Sequence, residues 1–204
     1  MGTIIMQEEI KEKMEKSVLK DIEYILTYKP IVKGAKSAQD FSKMSIIRPI
    51  ALNVYPEIYV DLVNRFEKAE AIRRLKNLGL RVAKFYYSSF PAMLKKSQKF
   101  SKIFSEAAKK HMDEKLEIVD KIEEDNKLKS CKIKVENCIF CSEVPPIENI
   151  DIPFCMGKSG FYQNIYNIKS LYNRNLEPRL VQVDTIKSAR YIGDVCEYQL
   201  TVID

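Results

Sequence analysis

The stretch NCIFCSEVPPIENIDIPFCMGKSGFY at 137–162 holds three of the chain's five cysteines and two of its six glycines. Cys138-x2-Cys141 is the knuckle spacing that lets two thiolates meet one ion, and zinc takes four such ligands near 2.3 Å. Cys155 follows in the same stretch. The competing reading makes these thiols small hydrophobes, with Cys138 and Cys141 flanking a turn whose Phe140 plugs the core. Five is an odd number, so a disulfide framework is not expected of a chain kept in a reducing compartment. Metal binding, redox sensing and plain burial remain open. Cys131 falls at the inward register of a strand and reads as core.

Little else in the chain suggests catalysis. The single histidine, His111, ends a helix in register with Phe104, Ala107 and Ala108. It reads either as a residue at the rim of the core or as a polar group in a pocket. No nucleophile-elbow motif accompanies it. There is no phosphate-cradling loop, and Gly157 and Gly160 lack the strand–turn–helix setting of a dinucleotide site. A non-enzymatic protein is expected. The aromatic supply is more suggestive: Phe85, Tyr86, Phe100, Phe104, Phe161, Tyr162 and Tyr166 fall on helices that should face one another. They could line an apolar ligand pocket or simply fill the core.

The elements that must position these residues follow from pattern. Of the 204 residues, 46% are hydrophobic, enough for one domain with a real core. No apolar run reaches the length of about 18 residues that a membrane span needs, and the N-terminus turns acidic and amphipathic too early for a secretory signal. The net charge of +6 is spread through interleaved Lys and Glu, as in EEIKEKMEK. That is solvated helix surface, not a nucleic-acid footprint. The protein is expected to be cytoplasmic, with neither membrane nor nucleic acid as a partner.

Ile10, Met14, Val18, Ile22 and Ile25 predict an amphipathic helix over 7–28. An irregular stretch follows to Pro56, so residues 1–55 are read as a helix and arm, and 56–204 as the domain proper. Pro56 suits a helix start, with Ile58, Leu62, Val63 and Phe66 on its buried face. A longer helix over 69–89 should bury Ile72, Leu75, Leu78, Val82, Phe85 and Tyr86. Gly79 inside it costs about 1 kcal/mol relative to Ala and suggests a close helix contact. Another helix ends near His111. The period then shifts to two, with a hairpin turning at Asp125-Asn126, then a helix from Phe161 to Tyr172 and two strands. Helices, hairpin, helix and two strands give an α+β fold, a helical layer packed on a four-stranded antiparallel sheet.

Three stretches carry a family resemblance: the hairpin LEIVDKIEEDNKLKSCKIKVENC leading to the cysteine–glycine helix FCMGKSGFYQNIYN; the strand LVQVDTIKSA; and the Gly-Asp turn with its cysteine in GDVCEYQLTV. Together they resemble the 4-vinyl reductase domain, a small-molecule-binding module. The resemblance covers 116–204 by motif and 56–204 by element order. It implies the twisted-sheet fold shared with TRAPP vesicle-trafficking subunits and nitric-oxide sensors, and a homodimer. Phenol-sensing members hold zinc through a cysteine before the glycine helix, a glutamate and a cysteine after the third strand, and a cysteine opening the fourth. Here those positions fall on Cys155, Asp184, Lys187 and Cys196. A lysine ammonium does not ligate zinc, so the inherited set is incomplete. Cys138 and Cys141 offer the repair, giving an expected structural zinc site of Cys138, Cys141, Cys155 and Cys196. An iron–sulfur cluster could use the same ligands. The function so implied is a sensor or regulatory domain for an apolar, aromatic or hydrocarbon-like molecule, acting through an unknown downstream protein. The alternative is an interaction scaffold like the trafficking subunits.

Overall fold

The computed structural model describes residues 2–27, 53–96, 99–112, 114–141, 144, 147, 151–173, 180–189 and 194–203, with 2–7 and 110–112 as backbone only. Most of the arm expected before Pro56 lies outside these residues. Helices α1 (Gly2–Thr27), α2 (Tyr55–Arg65), α3 (Lys68–Ser89), α4 (Pro91–Lys95) and α5 (Phe100–Met112) come first. Strands β1 (Lys115–Glu124) and β2 (Lys127–Glu136) follow, then α6 (Met156–Tyr172), β3 (Val181–Lys187) and β4 (Val195–Val202). The strands form one antiparallel sheet in the order β1-β2-β4-β3. This is the α+β architecture that the periodicity predicts. Among the described residues no helix is long and apolar enough to cross a membrane.

The β1–β2 hairpin turns at Asp125 and Asn126, both with positive φ (52° and 60°). A two-residue turn of that hand matches the twist of the flanking strands, and Asp and Asn tolerate it better than most side chains. Along β2, Cys131, Ile133 and Val135 are buried. They sit opposite Leu200, Tyr198 and Cys196 of β4, which share the same inner face.

Helix α6 lies on that face and is itself covered. Every residue from Met156 to Ser170 is buried, because the sheet lies beneath it while α3 and α1 pack above. The closest of these contacts is backbone on backbone. A β-carbon at Gly79 would stand 1.7 Å from the Gly157 carbonyl oxygen, and one at Gly160 would stand 2.0 Å from that of Lys76. Only glycine permits this approach.

Three expected helix faces are corrected, the first by that contact. On α3 the buried set is Ala71, Leu75, Gly79, Ala83, Tyr86, Tyr87 and Ser88, whereas Val82 and Phe85 are exposed. The small residues at four-residue spacing admit α6 and so fix the inward face. The larger apolar side chains are left at its margin. On α2 the buried residues are Tyr55 and Tyr59, with Leu62, Val63 and Phe66 half-buried and Ile58 exposed. Likewise α1 buries Val18, Ile22 and Ile25 but leaves Ile10 exposed.

Candidate metal centre

Four of the five cysteines converge from three separate parts of the fold. At the end of β2, Asn137 takes a left-handed conformation (φ 55°) and turns the chain out of the sheet. The next residues fold into a tight turn in which the Cys141 N–H donates to the Cys138 carbonyl at 2.9 Å. Cys155 caps the start of α6, and Cys196 points inward near the start of β4. The sulfurs of Cys138, Cys141, Cys155 and Cys196 all lie within 4.8 Å of one another, and all four residues are buried.

These spacings can be tested against chemistry. Four sulfurs about 2.3 Å from one ion form a tetrahedron with edges of about 3.8 Å; Cys141 and Cys196 stand 3.6 Å apart. A disulfide would bring a pair to about 2.05 Å, yet every cysteine here is a free thiol. A multi-iron cluster interposes metal–metal spacings and would spread the sulfurs farther than a single ion does. The set therefore could hold one metal ion. Cys131, buried opposite Leu200, stays outside it.

Asp184 and Lys187, the other two positions to which the resemblance points, lie outside the cluster. Asp184 is exposed, accepting from Lys76 at 2.7 Å and from Gln182 at 2.6 Å. Lys187 is exposed and ion-paired with Asp194 at 2.5 Å.

Donors approach the sulfurs from outside. The Ala189 N–H reaches Cys196 Sγ at 3.2 Å, and the Ser188 hydroxyl lies 3.0 Å from Cys155 Sγ while accepting the Cys155 N–H at 3.0 Å. Lys158 Nζ sits 3.5 Å from Cys138 Sγ. Such groups orient thiolates and spread their charge. Lys158 is fully buried and also bonds the buried Glu114. Glu114 in turn accepts the Ile139 N–H at 2.7 Å and the Tyr162 hydroxyl at 3.4 Å. Helix α2 clamps the same loop from outside. The Tyr55 hydroxyl donates to the Phe154 carbonyl at 2.6 Å and accepts the Gly157 N–H at 3.2 Å, while the Tyr59 hydroxyl donates to the Ile152 carbonyl. Phe140 packs edge-on against Tyr55 at 4.7 Å, so the turn does plug the core as well as present two thiols.

The electrostatics single out Cys138. Burial opposes its ionisation, yet hydrogen bonds from Cys141, Cys155 and Cys196, together with the Lys158 ammonium, hold its thiol well below the ordinary value. Hydrogen bonding to Cys138 in turn pushes the Cys141 and Cys196 thiols far up, with burial adding to it. Burial pushes the Glu114 carboxyl up to about 7, against the pull of Lys158. Although burial disfavours its ammonium, Lys158 is kept charged by Cys138 and Glu114. A cation bound here would have to displace the protons that Cys141 and Cys196 hold. One polar atom nearby has no partner among the described residues: the buried Tyr198 hydroxyl, whose ring lies 5.4 Å from that of Tyr162.

Sequence reasoning missed Lys158 and Glu114. The available signal was a lysine between Gly157 and Gly160 at the head of an apolar helix, where a buried charge requires a counter-charge. The aromatic residues pack on one another. Phe104 stacks on Tyr166 at 5.6 Å with Phe100 edge-on to both, and Tyr86 meets Phe161 at 6.3 Å. Phe85 is 41% exposed, and the side chain of His111 lies outside the described residues. None of the seven aromatic residues lines the cavity of about 320 Å³ found between α1, α3 and α6. No protein-family model matches the chain, and no curated protein matches it.

Proposed function

We propose that this chain is a non-enzymatic small-molecule-binding regulatory domain whose fold is locked by one structural zinc ion on Cys138, Cys141, Cys155 and Cys196. The observation that carries the metal reading is the convergence of four buried thiols at one-ion spacing. An all-thiolate set suits zinc and leaves no open position for water, so the ion would supply folding energy and no catalytic step. It would tie the loop after β2 to the head of α6 and to β4, which no backbone ladder does. Two of the four ligands fall where the 4-vinyl reductase resemblance puts them, and that resemblance supports the binding role.

Native mass spectrometry on protein purified without chelators tests the metal. The expected result is one zinc per chain, lost in Cys155→Ser. A bare chain in which all the thiols titrate overturns it. The scaffold reading draws on a different observation, the ring-on-ring packing of Phe100, Phe104 and Tyr166, which fills with side chains the place where an apolar ligand was expected. The cavity between α1, α3 and α6 favours a ligand elsewhere.

A further inference from the structure

The cavity between α1, α3 and α6 holds about 320 Å³, within the range of small-molecule sites. Several of the polar groups on its walls are already engaged. Lys84 pairs with Asp21 at 3.1 Å. The Asn164 amide donates to Asp21 at 3.1 Å and to the Leu80 carbonyl at 2.9 Å. Asn167 both gives to and takes from the Val181 backbone at 2.9 Å.

What remains is one-sided in charge. Gln163 is only 7% exposed, and its oxygen accepts the Val183 N–H at 3.2 Å. That leaves its amide nitrogen, two N–H donors, without a partner among the described residues. Arg81, on the same wall, has no carboxylate or carbonyl partner among them either. The unspent groups are thus the exposed Arg81 guanidinium and the buried Gln163 amide donor, beside the Ser17 hydroxyl and the Asn77 amide, which can each donate or accept. Because Asp21 already answers Lys84, the cavity keeps one uncompensated positive charge.

A hydrocarbon would leave those donors unpaired, at a cost in affinity. A metal cation would meet Arg81 and Lys84. The complementary occupant is an anion with a planar pair of oxygens, which a guanidinium grips in parallel, and a second acceptor for the amide. We propose that this cavity binds a small organic carboxylate, with the carboxylate on Arg81 and a carbonyl or hydroxyl oxygen on the Gln163 amide. The inference rests on the small-molecule half of the reading above and is independent of the metal. Since α1 forms one wall, an occupied cavity ties α1 to α3 and α6, which gives binding a route to a partner.

The test is a nitrogen-15 NMR titration of the full chain as purified. The probe is N-acetylglycine, which carries one carboxylate and one amide carbonyl; N-acetylglycinamide is its uncharged counterpart, and inorganic phosphate the competing anion. The expected result is saturable movement of the Arg81 Nε–H and Gln163 side-chain signals with N-acetylglycine. It should be at least about tenfold weaker with N-acetylglycinamide and lost in Arg81→Gln, a surface change that leaves the fold intact. No saturable movement into the millimolar range overturns the proposal. So does an equal response to the uncharged amide, a tighter response to phosphate, or binding unchanged in Arg81→Gln. A chain that carries no zinc yet gives the expected titration supports this site while overturning the metal centre.

Discussion

Replacing each of the five cysteines by serine separates ligands from core residues, because all five are buried free thiols that differ only in where they sit. At Cys131, which packs opposite Leu200 in the sheet core, the change buries a hydroxyl in place of a thiol. That costs about 1–3 kcal/mol, with or without metal. At Cys138, Cys141, Cys155 and Cys196 the same local cost applies, and the ion is forfeited as well. A site filled at a thousandfold excess over its Kd stabilises the chain by about 4.1 kcal/mol. At about 2–4 °C of Tm per kcal/mol for a chain of this size, that is a shift of about 8–16 °C. The assay is thermal unfolding in zinc and again in a chelator. Wild type and Cys131→Ser should both drop by about that amount on chelation. The four ligand variants should start low and show little further change. If Cys131→Ser loses its chelator response, or any ligand variant keeps it in full, the assignment of ligands is wrong.

The charge network gives a second outcome. Lys158→Met leaves the buried Glu114 without its cation and should cost about 3–5 kcal/mol in urea unfolding, most of it recovered in Lys158→Met with Glu114→Gln; additive costs would show that the pair is not coupled. The helix contact gives a third. Gly79→Ala puts a β-carbon 1.7 Å from the Gly157 carbonyl oxygen, so an overpacking cost of about 1–3 kcal/mol or more should outweigh the helix-propensity gain of about 1 kcal/mol. Gly157→Ala, whose β-carbon comes no closer than 3.2 Å to the Tyr55 ring and 3.3 Å to the Leu75 carbonyl oxygen, should be the milder change, and a neutral Gly79→Ala would refute the close approach. Proton release gives a fourth. Cys141 and Cys196, whose thiols are pushed up, must each surrender a proton to bind metal. Zinc binding at neutral pH should therefore release two or more protons per ion and weaken as pH falls. Calorimetry in buffers of different ionisation enthalpy reads this, and release of no protons would refute the ordering of the thiols.

What could be read from the sequence follows from how local each cause is. The sheet is written in neighbouring residues: alternation along KSCKIKVE, a turn at Asp125-Asn126, and a second alternation in VCEYQLTV, and these strands form where the period of two predicts them. The Cx2C turn is equally local. Helix faces are less so. Periodicity weights α3 by its large apolar residues and points to Val82 and Phe85, whereas the observed face is set by how close α6 can come. Gly79 hints at the contact but does not say which residues turn inward with it. Glu114 and Lys158 are 44 positions apart and meet only because α6 and the chain entering β1 converge on the turn after β2. The cavity, assembled from three helices, has no local signature at all.

The same comparison shows why the head of α6 is the most constrained part of the fold. Cys155 is a ligand candidate, Gly157 receives the backbone of α3, Lys158 supplies the counter-charge beside Cys138, and Gly160 receives α3 again. Ligation needs Cys155 placed to within a few tenths of an ångström, and a helix pinned by backbone contact on one side and by the sheet on the other cannot slide. The glycines that admit α3 thus also hold Cys155 against Cys138, Cys141 and Cys196. Widening the α3–α6 contact should loosen the metal centre without touching a ligand. Gly160→Ala, whose β-carbon would lie 2.0 Å from the Lys76 carbonyl oxygen, should therefore weaken zinc affinity as well as stability. Competition against a zinc chelator would show it, and an affinity equal to wild type in a destabilised variant would separate the two roles.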